Sequence, residues 1–154
     1  MGDPPLASVP GDLGLPEEDA YVLRALGWVS SPLTEMESAP RQGDEGAPEA
    51  WIEFRPEVLD ALSGVGAGDR LVVLTWLDRA DRDVLAVHPR GDASRPMAGV
   101  FATRSQHRPN PIGLHPVEVL EIVGERMRVS GLEALDGTPV VDVKPVLEGE
   151  ISER

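Results

Sequence analysis

The sequence contains no cysteine among its 154 residues, which excludes disulfide scaffolds, zinc fingers, iron–sulfur clusters and thiol nucleophiles. Lysine is almost missing too: Lys144 is the only one, and the other thirteen basic residues are arginines. No apolar run approaches the ~20 residues that a membrane-spanning helix needs, and no signal-peptide hydrophobic region follows Met1. The expectation is therefore a soluble, cytoplasmic chain. With only three histidines and no thiol, a tightly held transition metal is not expected. What is present is 16 glycines and 15 prolines, too many for a helical bundle, beside 41% hydrophobic residues, enough for a core. The length suits one domain, or one domain with a tail.

Charge is distributed unevenly. Lysines and arginines number 14 against 27 acids, a net of −13. Thirteen of the acids lie in residues 1–60, opposed only by Arg24, Arg41 and Arg55. Between positions 88 and 115 the sign reverses, with Arg90, Arg95, Arg104 and Arg108 against Asp92 alone. His88, His107 and His115 fall in the same stretch. Such a segment either forms a local pocket for an anionic or polar ligand or supplies arginines that pair with acids elsewhere.

Residues 1–20, with four prolines and no periodicity, read as a flexible arm ahead of a domain over 21–154. Strand-like patterns cover Tyr21–Ser30, Trp51–Phe54, Arg70–Leu77, Val84–Val87, Val100–Thr103 within Ala98–Thr103, Leu114–Val123, Arg126–Ser130 and Val140–Val143. Pro56 opens one short helix, Glu57–Leu62. Residues 34–49 and 104–112 read as loops. The pattern predicts a mainly all-β fold: a small antiparallel β-barrel of about seven strands with one short helix. Gly64-Val65-Gly66-Ala67-Gly68 resembles a nucleotide-binding glycine loop, but a helix precedes it and a strand follows. A Rossmann site needs the reverse order, so this is a helix-to-strand turn in a non-Rossmann fold.

Two stretches carry the chemistry. Gly99–His115 reads GVFATRSQHRPNPIGLH. Two prolines flank Asn110 and stiffen the loop. Arg104 and Arg108 offer planar forks for a carboxylate or phosphate, and Gly113 permits close backbone approach. Asp136–Pro145 reads DGTPVVDVKP, a tight turn followed by a strand on which Asp142 and Lys144 share a face. They form either an ion pair lining a cavity or a surface pair of small energetic value.

With Gly27–Pro32, Pro40-Arg41-Gln42 and Leu71–Asp78, these stretches closely resemble the TrmO family, also known as TsaA-like or YaeB-like proteins, over residues 25–146. The resemblance implies a homodimeric S-adenosylmethionine-dependent methyltransferase on a small β-barrel, with the cofactor near the subunit interface. Characterised members methylate N6 of threonylcarbamoyladenosine beside the tRNA anticodon. Matched by motif, the cofactor would meet Gly43, Asp44, Asp78, Arg79, Arg104, Gly113, Leu114, Gly131, Leu132 and Glu133. His115, His107, Asp142 and Lys144 are the candidate catalytic residues, the histidines as bases for the acceptor's proton.

The departures bear on the substrate. The family usually has proline at Gln106, a small residue at His115 and tyrosine at Val146, and its tandem tRNA-methylating members continue into a C-terminal part where this sequence stops at Arg154. A net charge of −13 and a single lysine offer few phosphate contacts. Three readings follow: methyl transfer to a nitrogen of a small heteroaromatic or amine metabolite, the family's tRNA reaction, or a cofactor-binding sensor without catalysis.

Overall fold

Val73 and Thr75 flank the more accessible Leu74 on one strand, and Val117 and Val119 flank the exposed Glu118 on the strand beside it. This period of two turns one face of each strand inward. The computed structural model describes residues 13–34 and 49–147, and contacts divide the chain into two compact units. The larger comprises Arg24–Asp78 and the chain from Ile112 onward; the smaller comprises Arg79–Pro111 with residues up to Leu23. Residues 1–12 of the expected arm, the Pro40-Arg41-Gln42 motif, Gly43 and Asp44 lie outside the described residues.

The larger unit is a closed six-stranded antiparallel barrel. Its strands are β1 (Gly27–Ser30), β2 (Ala50–Phe54), β3 (Arg70–Trp76), β6 (Ile112–Val123), β7 (Arg126–Ser130) and β8 (Pro139–Pro145), in ring order β1-β2-β7-β6-β3-β8. Strand β6 is twelve residues long and serves two neighbours, pairing with β3 through its first half and β7 through its second. The core within the ring includes Val29, Ile52, Val73, Val119, Met127, Val129, Leu132 and Val140. Closure leaves no free edge in the ring.

The outer face is polar and held by arginines over tryptophans. The Arg126 guanidinium lies 4.4 Å from the Trp51 ring and pairs with Glu53 at 3.2 Å. Arg55 covers Trp28 at 4.6 Å. Glu121 and Glu49 bind the Arg128 guanidinium and hold it above its ordinary pKa.

The expected short helix is a 3-10 helix, Pro56–Leu62, whose Val58, Leu59 and Leu62 pack on the barrel core. The glycine run that follows is the helix-to-strand turn: Gly64 and Gly68 have φ of +90° and +92°, and Asp69 closes the turn by accepting from the Gly66 N–H. The strand expected from Tyr21 begins only at Gly27, and Tyr21–Leu23 is exposed.

In the smaller unit, Glu17–Asp19 is a 3-10 turn, and β4 (Ala86–Val87) pairs with β5 (Ala98–Gly99) in a two-stranded ribbon. The expected strand Val100–Thr103 is instead a 3-10 turn over Val100–Ala102. The reason is local: the Val100 and Thr103 carbonyls accept from the Arg108 guanidinium at 2.8 and 3.3 Å, rather than from a neighbouring strand. Below β4, Asp92 accepts from the Ser94 hydroxyl at 2.6 Å and the Ser94 N–H at 2.9 Å, with Arg95 at 3.6 Å. These bonds hold the Asp92 carboxyl below its usual pKa. A carboxyl depressed by folding contributes above its unfolded pKa, and the contribution is lost as pH falls through the folded value. A proton-detected titration should find Asp92 titrating below an ordinary aspartate, and Ser94→Ala should return it upward.

Candidate functional site

Inside the barrel, β3 and β6 bring Thr75, Gly113 and His115 together. The register places Thr75 opposite Gly113 and Val73 opposite His115, so the imidazole reaches diagonally to the threonine. Thr75 Oγ1 is 2.7 Å from His115 Nε2, and His115 Nδ1 is 2.6 Å from Glu133 Oε1. Glu133 lies on the connection from β7 to β8, after Gly131 at φ +88° and the core residue Leu132. Its second oxygen, Oε2, is buried and accepts no hydrogen bond among the described residues.

The order hydroxyl–imidazole–carboxylate is that of a nucleophile triad. Burial rules that role out, because Thr75 is 0% exposed and His115 only 3%, so no substrate reaches either. The same burial corrects the expectation that His115 takes the acceptor's proton: both ring nitrogens are engaged inside the barrel. Thr75 was missed in the sequence, although a hydroxyl at an inward position of the apolar run LVVLTW is itself a signal. Gly113 does permit a close approach, but of the Thr75 and His115 side chains across its missing Cβ. Leu114 is half-buried, and Leu132 is fully buried in the core.

On β8 a bulge shifts the pairing between Leu74 and Thr75, so that Val140 faces Thr75 while Asp142 faces Leu74. Val143 then packs on the core, and Lys144 Nζ stands 3.4 Å from Asp142 Oδ2, both side chains about half-exposed or more. The pair lines an open cleft of about 750 Å3, walled by apolar Phe54, Leu62, Leu71 and Val143. Asp78, at the end of β3, is exposed.

In the smaller unit the two arginine forks separate into different roles. Arg108 is a loop staple, donating to the carbonyls of Val100, Thr103 and Ser105. Arg104 is exposed and makes no hydrogen bond or ion pair among the described residues. His107 Nδ1 accepts from the Asp81 N–H at 2.9 Å, which leaves the proton of the neutral ring on Nε2. His107 thus presents a donor outward, unlike the base expected. Arg82 donates to the Pro109 carbonyl and Asn110, Arg95 pairs with Asp92, and Arg79 is exposed. Among the described residues, no group of three or more His, Asp or Glu is arranged to hold a metal, and no helix is long and apolar enough to cross a membrane.

The closed barrel and the helix-to-strand glycine turn define a non-Rossmann β-barrel domain. The chain belongs to the tRNA-methyltransferase O N-terminal domain family, whose signature matches residues 28–149. A probable S-adenosyl-L-methionine-binding protein of Archaeoglobus fulgidus is 50% identical over 123 residues, which are 80% of this chain and 33% of its own length. A protein of the same description from Methanothermobacter thermautotrophicus is 48% identical over 126 residues, 82% of this chain and 90% of its own. The crystal structure of TrmO from Pseudomonas aeruginosa is 28% identical with a TM-score of 0.68, over 88% of this chain and 60% of that one. The chain thus spans a third of the first relative and three-fifths of the solved TrmO chain.

Proposed function

We propose that the chain binds S-adenosylmethionine and transfers its methyl group to a nitrogen of a small heteroaromatic or amine metabolite. Family membership and the relatives' description as S-adenosyl-L-methionine-binding proteins support the cofactor. The residues fit it. Glu133 Oε2 is a buried acceptor lacking a donor, suited to an ammonium or ribose hydroxyl, and Arg104 is an unengaged fork suited to a carboxylate. The cofactor supplies a methyl group already activated on a sulfonium, so the protein's task is alignment and exclusion of water. The motif-matched positions Asp78, Arg79, Gly113, Leu114, Gly131 and Leu132, with Gly43 and Asp44 outside the described residues, belong to the same proposal. A homodimer belongs to the same proposal, supported by Tyr21 and Phe101, each 87% exposed.

The observation that carries the small acceptor is the engagement of the arginines. Of the four arginines in the basic segment, Arg108 staples its own loop and Arg95 pairs with Asp92, while Arg104 is assigned to the cofactor; Arg82, just ahead of the segment, holds Asn110. A tRNA ligand needs several of them on phosphates. The acceptor's ring fits the apolar cleft beside Asp142 and Lys144, the two candidate catalytic residues that line it. Asp142 accepts the proton released from the acceptor nitrogen.

The competing acceptor is tRNA, favoured by membership of the tRNA-methyltransferase O family. Calorimetric titration with S-adenosylmethionine, alongside Arg104→Ala, tests the donor site: saturable binding in the unaltered chain should weaken at least tenfold in the variant. Asp142→Asn should reduce turnover about a hundredfold while leaving cofactor affinity unchanged. Bulk tRNA binding that weakens steeply with salt would replace the metabolite with tRNA.

A further inference from the structure

We infer that Thr75 and His115 are positioning residues of the methyl-donor site, holding Glu133 so that its free oxygen receives a hydrogen from the bound cofactor. The inference rests on the cofactor reading above. It begins with proton accounting. At 2.6 Å from Glu133 Oε1, His115 Nδ1 carries the hydrogen and donates it. A neutral ring then has an unprotonated Nε2, and Thr75 Oγ1 at 2.7 Å donates to it; a charged ring reverses that bond. In either state every polar atom of the chain from Thr75 to Glu133 Oε1 is satisfied.

Glu133 Oε2 is the exception, buried and without a partner among the described residues, on a side chain that is 13% exposed and so lies nearer the surface than that of His115 at 4%. A desolvated carboxylate oxygen left bare is costly, and proteins retain such groups where a ligand supplies the donor. The relay explains how the bare oxygen stays in place. Glu133 sits on a connection rather than on a strand, so rotation could carry either oxygen away. The imidazole, itself fixed between β3 and β6 by Thr75 and by its seat against Gly113, claims one oxygen and orients the other. The donor it awaits is an ammonium or hydroxyl. S-adenosylmethionine carries both, and 5′-methylthioadenosine keeps the ribose while lacking the ammonium.

The test uses the full chain and S-adenosylmethionine binding by calorimetry. His115→Ala should weaken affinity about tenfold or more, and Glu133→Gln similarly. His115→Asn, whose side-chain amide donates from nearly the Nδ1 position, should recover to within about threefold of the unaltered protein. The combined His115→Ala and Glu133→Gln change should cost no more than either alone, as expected for residues acting through one contact. A readout free of mutation is the His115 Nδ1–H proton resonance, which should shift on saturation with S-adenosylmethionine; a shift also with 5′-methylthioadenosine assigns the donor to the ribose, and its absence assigns the ammonium. Binding that is indifferent to His115, with an unmoved Nδ1–H resonance, overturns this inference alone. Failure of the unaltered chain to bind overturns the cofactor reading and the relay with it.

Discussion

Gly27→Ala is expected to lower the thermal unfolding midpoint by roughly 10 °C, from a loss of about 3 kcal/mol. Gly27 pairs with Phe54 where β1 meets β2. A Cβ added there would stand 2.5 Å from the Glu53 carbonyl oxygen and 3.0 Å from the Phe54 Cα. Both are backbone atoms of the neighbouring strand, so no rotamer change relieves the overlap. The strand itself must move, and β1 also carries the ladder to β8 that closes the ring. Circular dichroism melts of the two proteins check this; a fall of less than about 2 °C would show that β1 yields more easily than a closed barrel allows.

Gly113→Ala should cost about 2 kcal/mol, roughly 6 °C, by a different route. Its Cβ would overlap Thr75 Oγ1 and approach His115 Nε2 to 2.6 Å. These are side-chain atoms, but both are held: Thr75 and His115 bond each other, and His115 is tied to Glu133. Relief therefore breaks the relay. Combining Gly113→Ala with His115→Ala should cost less than the sum of the two single changes, because the ring that blocks the new methyl is gone. Additive losses in the melts would show that the methyl is accommodated without disturbing His115. No trimming of a side chain should rescue Gly27→Ala in the same way.

Much of the architecture was legible in the sequence because a strand's signal is local. Arg126–Ser130 begins and ends where its alternation does, and Asp142 and Lys144 share a face because side chains repeat every two residues. The glycine run was likewise readable from order alone, helix before and strand after. Val100–Thr103 was misread for the opposite reason. Its β-branched and aromatic residues favour a strand, but the guanidinium of Arg108, five residues beyond Thr103, takes the carbonyls a strand would have shared.

The candidate site divides along the same line. Residue type and spacing mark Arg104, Gly113 and His115, the family resemblance adds Glu133, and the central motif points to the family to which the chain belongs. Type and spacing did not distinguish Arg104 from Arg108, since both are forks four positions apart on one loop; only the folded loop shows that one is engaged by three carbonyls. Nor did they distinguish a base from a buried relay at position 115. That outcome depends on Thr75, forty residues earlier, arriving beside the ring through the β3–β6 register, and on Glu133 arriving from the next connection. By itself the sequence determined the mainly β architecture, the turn chemistry and the set of residues available for a site, because these follow from propensity and period. Only the tertiary structure decided which of those residues are spent on holding the fold and which remain to meet a ligand, because hydrogen-bond partners are assigned by strand pairing, and pairing joins residues far apart in the chain.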